Sequence, residues 1–115
     1  MSAPSHILFV APNPYFRIAR EETLQHAGYR LSTFASASEA LDKIGSNNFA
    51  FDLMILCDSL AAEQRGHLIA MVKVTSPHIP VLVIGDTRDR LADGVVSDLD
   101  GPEALLDHIT ALLPP

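Results

Sequence analysis

Asp52-Leu53-Met54-Ile55-Leu56-Cys57-Asp58-Ser59-Leu60 is an apolar run of strand length that ends abruptly in a thiol and a carboxylate. A run this short and this continuously hydrophobic suits a strand covered on both faces, as strands of parallel sheets are. Polar residues just past such a strand sit where open parallel sheets place their binding sites. The stretch therefore poses two questions together: which sheet it belongs to, and whether Cys57 or Asp58 does chemistry at its tip.

Working outward, Pro80-Val81-Leu82-Val83-Ile84 is a second wholly apolar strand, closed by Gly85-Asp86-Thr87. His6-Ile7-Leu8-Phe9-Val10 is another, and Pro12 and Pro14 forbid its further pairing. Tyr29 to Phe34 alternates polar and apolar residues and reads as an edge or near-edge strand. Gly94 to Ser97 is a weak fifth candidate.

Helical patterns separate these runs. Asn13 with Pro14 has the chemistry of a helix start, and Gly28 stops that helix. Its expected buried stripe is Phe16, Ile18, Ala19, Thr23, Leu24 and Ala27. Ser36 to Glu39 has capping-box spacing and opens a short helix that ends at Gly45. A third helix is expected over roughly His67 to Lys73, with Leu68, Ile69, Met71 and Val72 on its apolar side. Asp100 is placed to cap a last helix striped by Leu105, Leu106, Ile109, Leu112 and Leu113.

Strands alternating with helices at this spacing imply an α/β fold, a three-layer sandwich with helices on both faces of a parallel sheet. Five strands suggest the flavodoxin-like order 2-1-3-4-5, whose crevice lies at the carboxyl ends of strands one and three. Here that means Ala11 to Asn13 and Cys57 to Ser59. Only Asp86 to Asp93 separates the fourth strand from the fifth, whereas a crossover between parallel strands needs at least ~10–12 residues. The fourth helix of such a fold is expected to be shortened or absent.

Composition narrows the function classes. The 115 residues fit one domain over 1–115, with residues 1–5 expected to be disordered. A net charge of -6, with Lys and Arg scattered, argues against a nucleic-acid surface. No apolar run approaches the ~20 residues of a membrane helix, and no signal-peptide core opens the chain. A single cysteine excludes an internal disulfide and suits a reducing, cytoplasmic compartment. The five histidines, His6, His26, His67, His78 and His108, show no metal-ligand spacing. No catalytic pair or phosphate-binding glycine loop supports an enzyme, and no cofactor is expected. Arg17 and Arg20 share a face of the first helix, either paired with Glu21 or Glu22 or forming a docking patch. One of Tyr15 and Phe16 is expected in the core. Pro114-Pro115 suits either a natural end or a run into a linker.

In order and spacing, these stretches resemble the receiver domains of bacterial two-component response regulators. Ile7-Leu8-Phe9-Val10 with Asn13-Pro14 and Arg17 resembles the family's first strand and helix start, and Ala27-Gly28-Tyr29-Arg30-Leu31 its turn into the second strand. Ser38-Glu39-Ala40-Leu41 resembles the second helix, Asp52 to Leu56 the third strand, Pro80 to Ile84 the fourth, and Pro102-Glu103-Ala104-Leu105-Leu106 the last helix.

The resemblance implies a signalling domain whose chemistry uses five groups. Two acids after the first strand bind magnesium with a phosphoacceptor Asp at the end of the third. A Ser or Thr after the fourth strand and a Lys after the fifth contact the phosphoryl group. At the acidic pair stand Ala11 and Pro12, with the neutral Asn13 next door. Gly85 stands at the Ser/Thr position, with Thr87 close by, and Asp98 or its neighbour Leu99 at the Lys position. The acceptor has two registers, Cys57 or Asp58. The first is preferred, because the apolar run sets strand pairing and loops absorb insertions.

The resulting expectation is an atypical receiver-like module, not an enzyme, with no catalytic residue, cofactor or metal. It works through a protein partner or a fused output domain, with no nucleic acid or membrane contact. Its oligomeric state is open, a dimer included. The alternatives are a working receiver that uses Asp58 and a redox sensor that uses Cys57.

Overall fold

The computed structural model describes residues 5–46, 50–57, 59–85 and 91–113. Five strands and four helices alternate: β1 (His6–Val10), α1 (Pro14–His26), β2 (Arg30–Phe34), α2 (Ala37–Ile44), β3 (Leu53–Cys57), α3 (Ala62–Thr75), β4 (Val81–Ile84), β5 (Gly94–Val96) and α4 (Gly101–Leu112). A 3-10 turn over Asp98–Asp100 precedes α4. The strands form one parallel sheet in the order β2-β1-β3-β4-β5.

The continuous apolar runs behave as their composition requires. Every residue of β3 and β4 is buried. Alternate side chains of one strand enter opposite faces of the sheet. Leu8, Val10, Met54, Leu56, Val81 and Val83 pack with α2 and α3, while Ile7, Phe9, Leu53, Ile55, Leu82 and Ile84 pack with α1 and α4. The alternating strand β2 is an edge, as expected, with no residue fully buried.

Helix starts follow their capping chemistry. The Asn13 side-chain oxygen accepts the backbone N–H groups of Tyr15 and Phe16, with Pro14 at the first helical position. Ser36 accepts the N–H of Glu39, and the Glu39 carboxylate accepts that of Ala35.

Three expectations are corrected. First, α3 starts at Ala62, a full turn before His67. Ala62, Glu63, Gln64 and Arg65 are all good helix formers, and Gly66 is tolerated inside the helix. Second, the Asp100 side chain makes no capping bond. It closes the 3-10 turn that Ser97 caps through the N–H of Leu99, and Gly101, at φ +82°, makes the bend into α4. Third, the buried face of α1 is narrower than its apolar pattern. Leu24 is buried and Phe16 packs against the core, but Ile18 is 54% exposed and Ala19 and Ala27 face solvent.

The connection from β4 to β5 contains no helix among its described residues, and residues 86–90 lie outside them. Asp93 anchors its far end. Its backbone N–H donates to the Val81 carbonyl, and its carboxylate accepts the Val81 N–H at 2.7 Å and the Lys73 ammonium at 2.8 Å. Partial burial pushes this carboxyl up. The hydrogen bond and charge of Lys73 and the bond from Val81 outweigh it and hold the pKa below the ordinary 3.8. A carboxyl held down in the folded state stabilises at pH above 3.8, and that stability is lost as pH falls through its lower folded value. Asp93→Ala is expected to cost about 1–2 kcal/mol in urea melts at neutral pH, chiefly from the unpaired Val81 N–H. The difference from the parent protein should shrink below pH 4, roughly the unfolded value.

Toward the opposite edge of the sheet, at the same amino ends of the strands, the Ser5 carbonyl accepts the N–H of Arg30, and residues 1–4 lie outside the described residues.

Candidate functional site

The carboxyl ends of β1, β3 and β4 converge, and each expected site residue there can be followed individually. Ala11 leaves β1 fully buried. Its N–H donates to the Phe34 carbonyl, and its own carbonyl accepts Arg17 Nη1 at 2.8 Å. Arg17 also lies 3.6 Å from Glu21 on the next turn. The Arg17 side chain is therefore folded back as a clamp on the loop after β1. Arg20 takes a different role and stacks over the Phe16 ring at 4.3 Å. Of the two aromatic neighbours, Phe16 joins the core and Tyr15 is 85% exposed.

Pro12 and Asn13 are exposed, and the Asn13 oxygen is already engaged by two helix N–H groups. Gly85 is buried, and its N–H donates to the Val96 carbonyl at 2.8 Å. Its φ is +145°, a backbone conformation that residues with side chains rarely adopt. A hydroxyl-bearing residue at Gly85 would be strained.

Cys57 is the last residue of β3 and is 3% exposed. It packs in the same buried cluster as Ala11, Phe9, Ile84 and Val96. The Ser59 hydroxyl donates to its sulfur at 3.2 Å. A turn follows, closed by the Leu60 N–H on the Cys57 carbonyl. Arg65, on the first turns of α3, is 7% exposed and donates from Nη1 to the Leu60 carbonyl. Sequence reading passed over Arg65. The signal was there, because Arg65, Leu68, Ile69 and Val72 recur at helical spacing, so the cation occupies the core-facing stripe of α3. Asp58, Thr87 and the side chain of Asp98 lie outside the described residues.

The described tip is thus lined by an apolar side chain at Ala11, a ring at Pro12, an engaged amide at Asn13, a thiol at Cys57 and bare backbone at Gly85. A magnesium ion requires hard oxygen donors in near-octahedral array. These residues do not fit it. Among the described residues no group of three His, Cys, Asp or Glu side chains could hold a metal. No described helix is long and apolar enough to cross a membrane.

No protein-family model matches the sequence, and no curated protein does. Solved structures do. The chemotaxis protein CheY4 of Vibrio cholerae superposes with a TM-score of 0.83 at 24% identity, over 96% of this chain and all of that one (100%). The response regulator TrrA of Thermotoga maritima, solved with Mg2+ and beryllofluoride, gives a TM-score of 0.81 at 24% identity, over 95% of this chain and 99% of its own. The signal receiver domain of an HD domain-containing protein from Pseudomonas fluorescens gives 0.83 at 19% identity, over 98% and 89%.

Proposed function

We propose that this chain, which has the fold of CheY-like response-regulator receiver domains, is a cytoplasmic signalling module that acts through protein contact without Mg2+-dependent aspartyl phosphorylation. It is a binding module and not an enzyme, and its output is a separate partner or a fused domain. The occurrence of such a fold within an HD domain-containing protein supports the fused arrangement.

The observation that carries this reading is the tip of β1. Phosphoryl transfer to a carboxylate depends on neutralising charge with a metal and fixed cations. Ala11 is fully buried with its polar backbone already bonded, and Pro12 offers no ligand. Gly85 holds a φ that disfavours the hydroxyl residue the chemistry would use.

The test is incubation with acetyl phosphate and Mg2+, read by intact mass. No phosphate adduct is expected. An adduct lost on Asp58→Asn would establish the phosphoacceptor alternative in its place.

For the redox alternative, the burial of Cys57 is the relevant observation. Thiol chemistry needs access and a stabilised thiolate, and Cys57 is 3% exposed. Its labelling by a thiol reagent is expected to be at least about tenfold slower in the native protein than in the urea-unfolded chain, as for any group reached only through opening. Equal rates would bring the redox reading back.

A further inference from the structure

Helix α3 carries two apolar stripes, and the core covers only one of them. Leu68, Ile69 and Val72 are buried against the sheet. His67, Ala70, Met71 and Val74 follow the i, i+3, i+4, i+7 spacing of a second face. With Leu41 of α2 they line an open groove of about 400 Å3. Val74 is 82% and Met71 36% exposed, although sequence patterning assigned Met71 to the core side. A stripe this regular on the outside of a helix is a surface for a helical partner, because i, i+3/i+4, i+7 anchors are how one helix reads another.

Charge selects the occupant. Asp42 follows Leu41 directly, and Glu63 lies one turn before His67; both are exposed. At ~100° per residue, Lys43 falls on the flank of α2 away from Leu41. Lys73 pairs with Asp93, and Arg65 is buried. The groove is therefore apolar at its floor and acidic at its rim. A second copy of this chain would bring like charges together, which opposes association.

We propose that the α2–α3 groove docks an amphipathic helix of a partner protein, one with an apolar stripe flanked by Lys or Arg. This rests on the reading of the domain as a protein-contact module, but it concerns a different surface from the tip. Its test is independent of the acetyl phosphate result.

The probe is a short synthetic helical peptide with Leu at i, i+3, i+4 and i+7 and Lys elsewhere. Two controls replace all Lys with Glu, or all Leu with Ser. Binding to the full chain is followed by fluorescence anisotropy and by backbone amide NMR. The Leu/Lys peptide is expected to bind and to shift the signals of Leu41, His67, Met71 and Val74, and both controls are expected to fail. Val74→Asp is expected to weaken binding by about tenfold or more with the protein still fully folded at the assay temperature, since Val74 is 82% exposed and the added carboxylate meets only the last turn of α3. The variant separates docking from simple charge attraction, which an added carboxylate would strengthen. No binding by the Leu/Lys peptide, binding equal to that of the Ser control, or unchanged or tighter binding by Val74→Asp would overturn the proposal. So would a self-association, seen by sedimentation, that Val74→Asp abolishes, because it would assign the groove to a second copy.

Discussion

Cys57→Asp is expected to destabilise the domain by on the order of 3–5 kcal/mol at pH 7, the scale for placing a charge in a packed apolar cluster. The substitution places a carboxyl at the last position of β3, the end at which receiver chemistry uses one. Here that position is 3% exposed and packed with Ala11, Phe9, Ile84 and Val96. Burial in this apolar cluster pushes a carboxyl pKa up. Its sign is then the reverse of that at Asp93. The deficit is full at neutral pH and shrinks as pH falls toward the unfolded value near 4, where both states are protonated. Cys57→Ala, which only removes the sulfur, is expected to cost about 1 kcal/mol, the lower end of cavity effects. Urea melts of both variants at pH 7 and pH 5, with and without Mg2+, check this. Magnesium is expected to leave the Cys57→Asp deficit unchanged. A metal that binds only the folded state would restore stability by linkage, so a magnesium-dependent recovery would mean that a cation site survives around the tip.

The second large effect tests the two-faced burial of the sheet. Ile55 and Leu56 are neighbours in β3, fully buried, and belong to opposite core clusters. Ile55→Ala and Leu56→Ala are each expected to cost about 2–5 kcal/mol, the range for large-to-small changes in a packed core. In a sheet with one solvated face, only one of two adjacent residues would be costly. Leu99→Ala is the control. Leu99 is 90% exposed, and its replacement should change stability by no more than about 0.5 kcal/mol. A total stability of about 5–15 kcal/mol for a domain of this kind leaves either core variant measurably weakened in urea.

The legible part of the fold was the part set by local pattern. The continuous runs at β3 and β4 announced strands buried twice over, and the alternation of β2 announced an edge. Asn13 and Ser36 declared their helix starts, because a capping side chain acts within three residues of its own position. The position of Ala11 and Gly85 at strand ends was legible in the same way, because the apolar runs that precede them set where β1 and β4 stop.

Contacts that join distant parts of the chain were not legible. Asp93 binds Val81 and Lys73, 12 and 20 residues away, and no spacing rule pairs them. The pairing of Arg17 with Glu21 was legible from helical spacing, but its second contact was not. The side chain bends back to the Ala11 carbonyl, which depends on where the β1–α1 loop ends. The start of α3 was placed too late, at His67, although a glycine inside a helix, as Gly66 is here, costs only about 1 kcal/mol. The exposed stripe of α3 was hidden for a related reason. With two apolar faces on one helix, periodicity alone does not tell which of them meets the sheet.

The proposed function pairs a receiver-like fold with no magnesium-dependent phosphoryl chemistry. It is tested most directly by titrating the protein with Mg2+ and beryllofluoride, a stable mimic of the phosphorylated state, under amide NMR. The expected result is no saturable shift at Ala11, Cys57, Ser59 or Gly85. A saturable, magnesium-dependent shift centred on those residues and abolished by Asp58→Asn would contradict it.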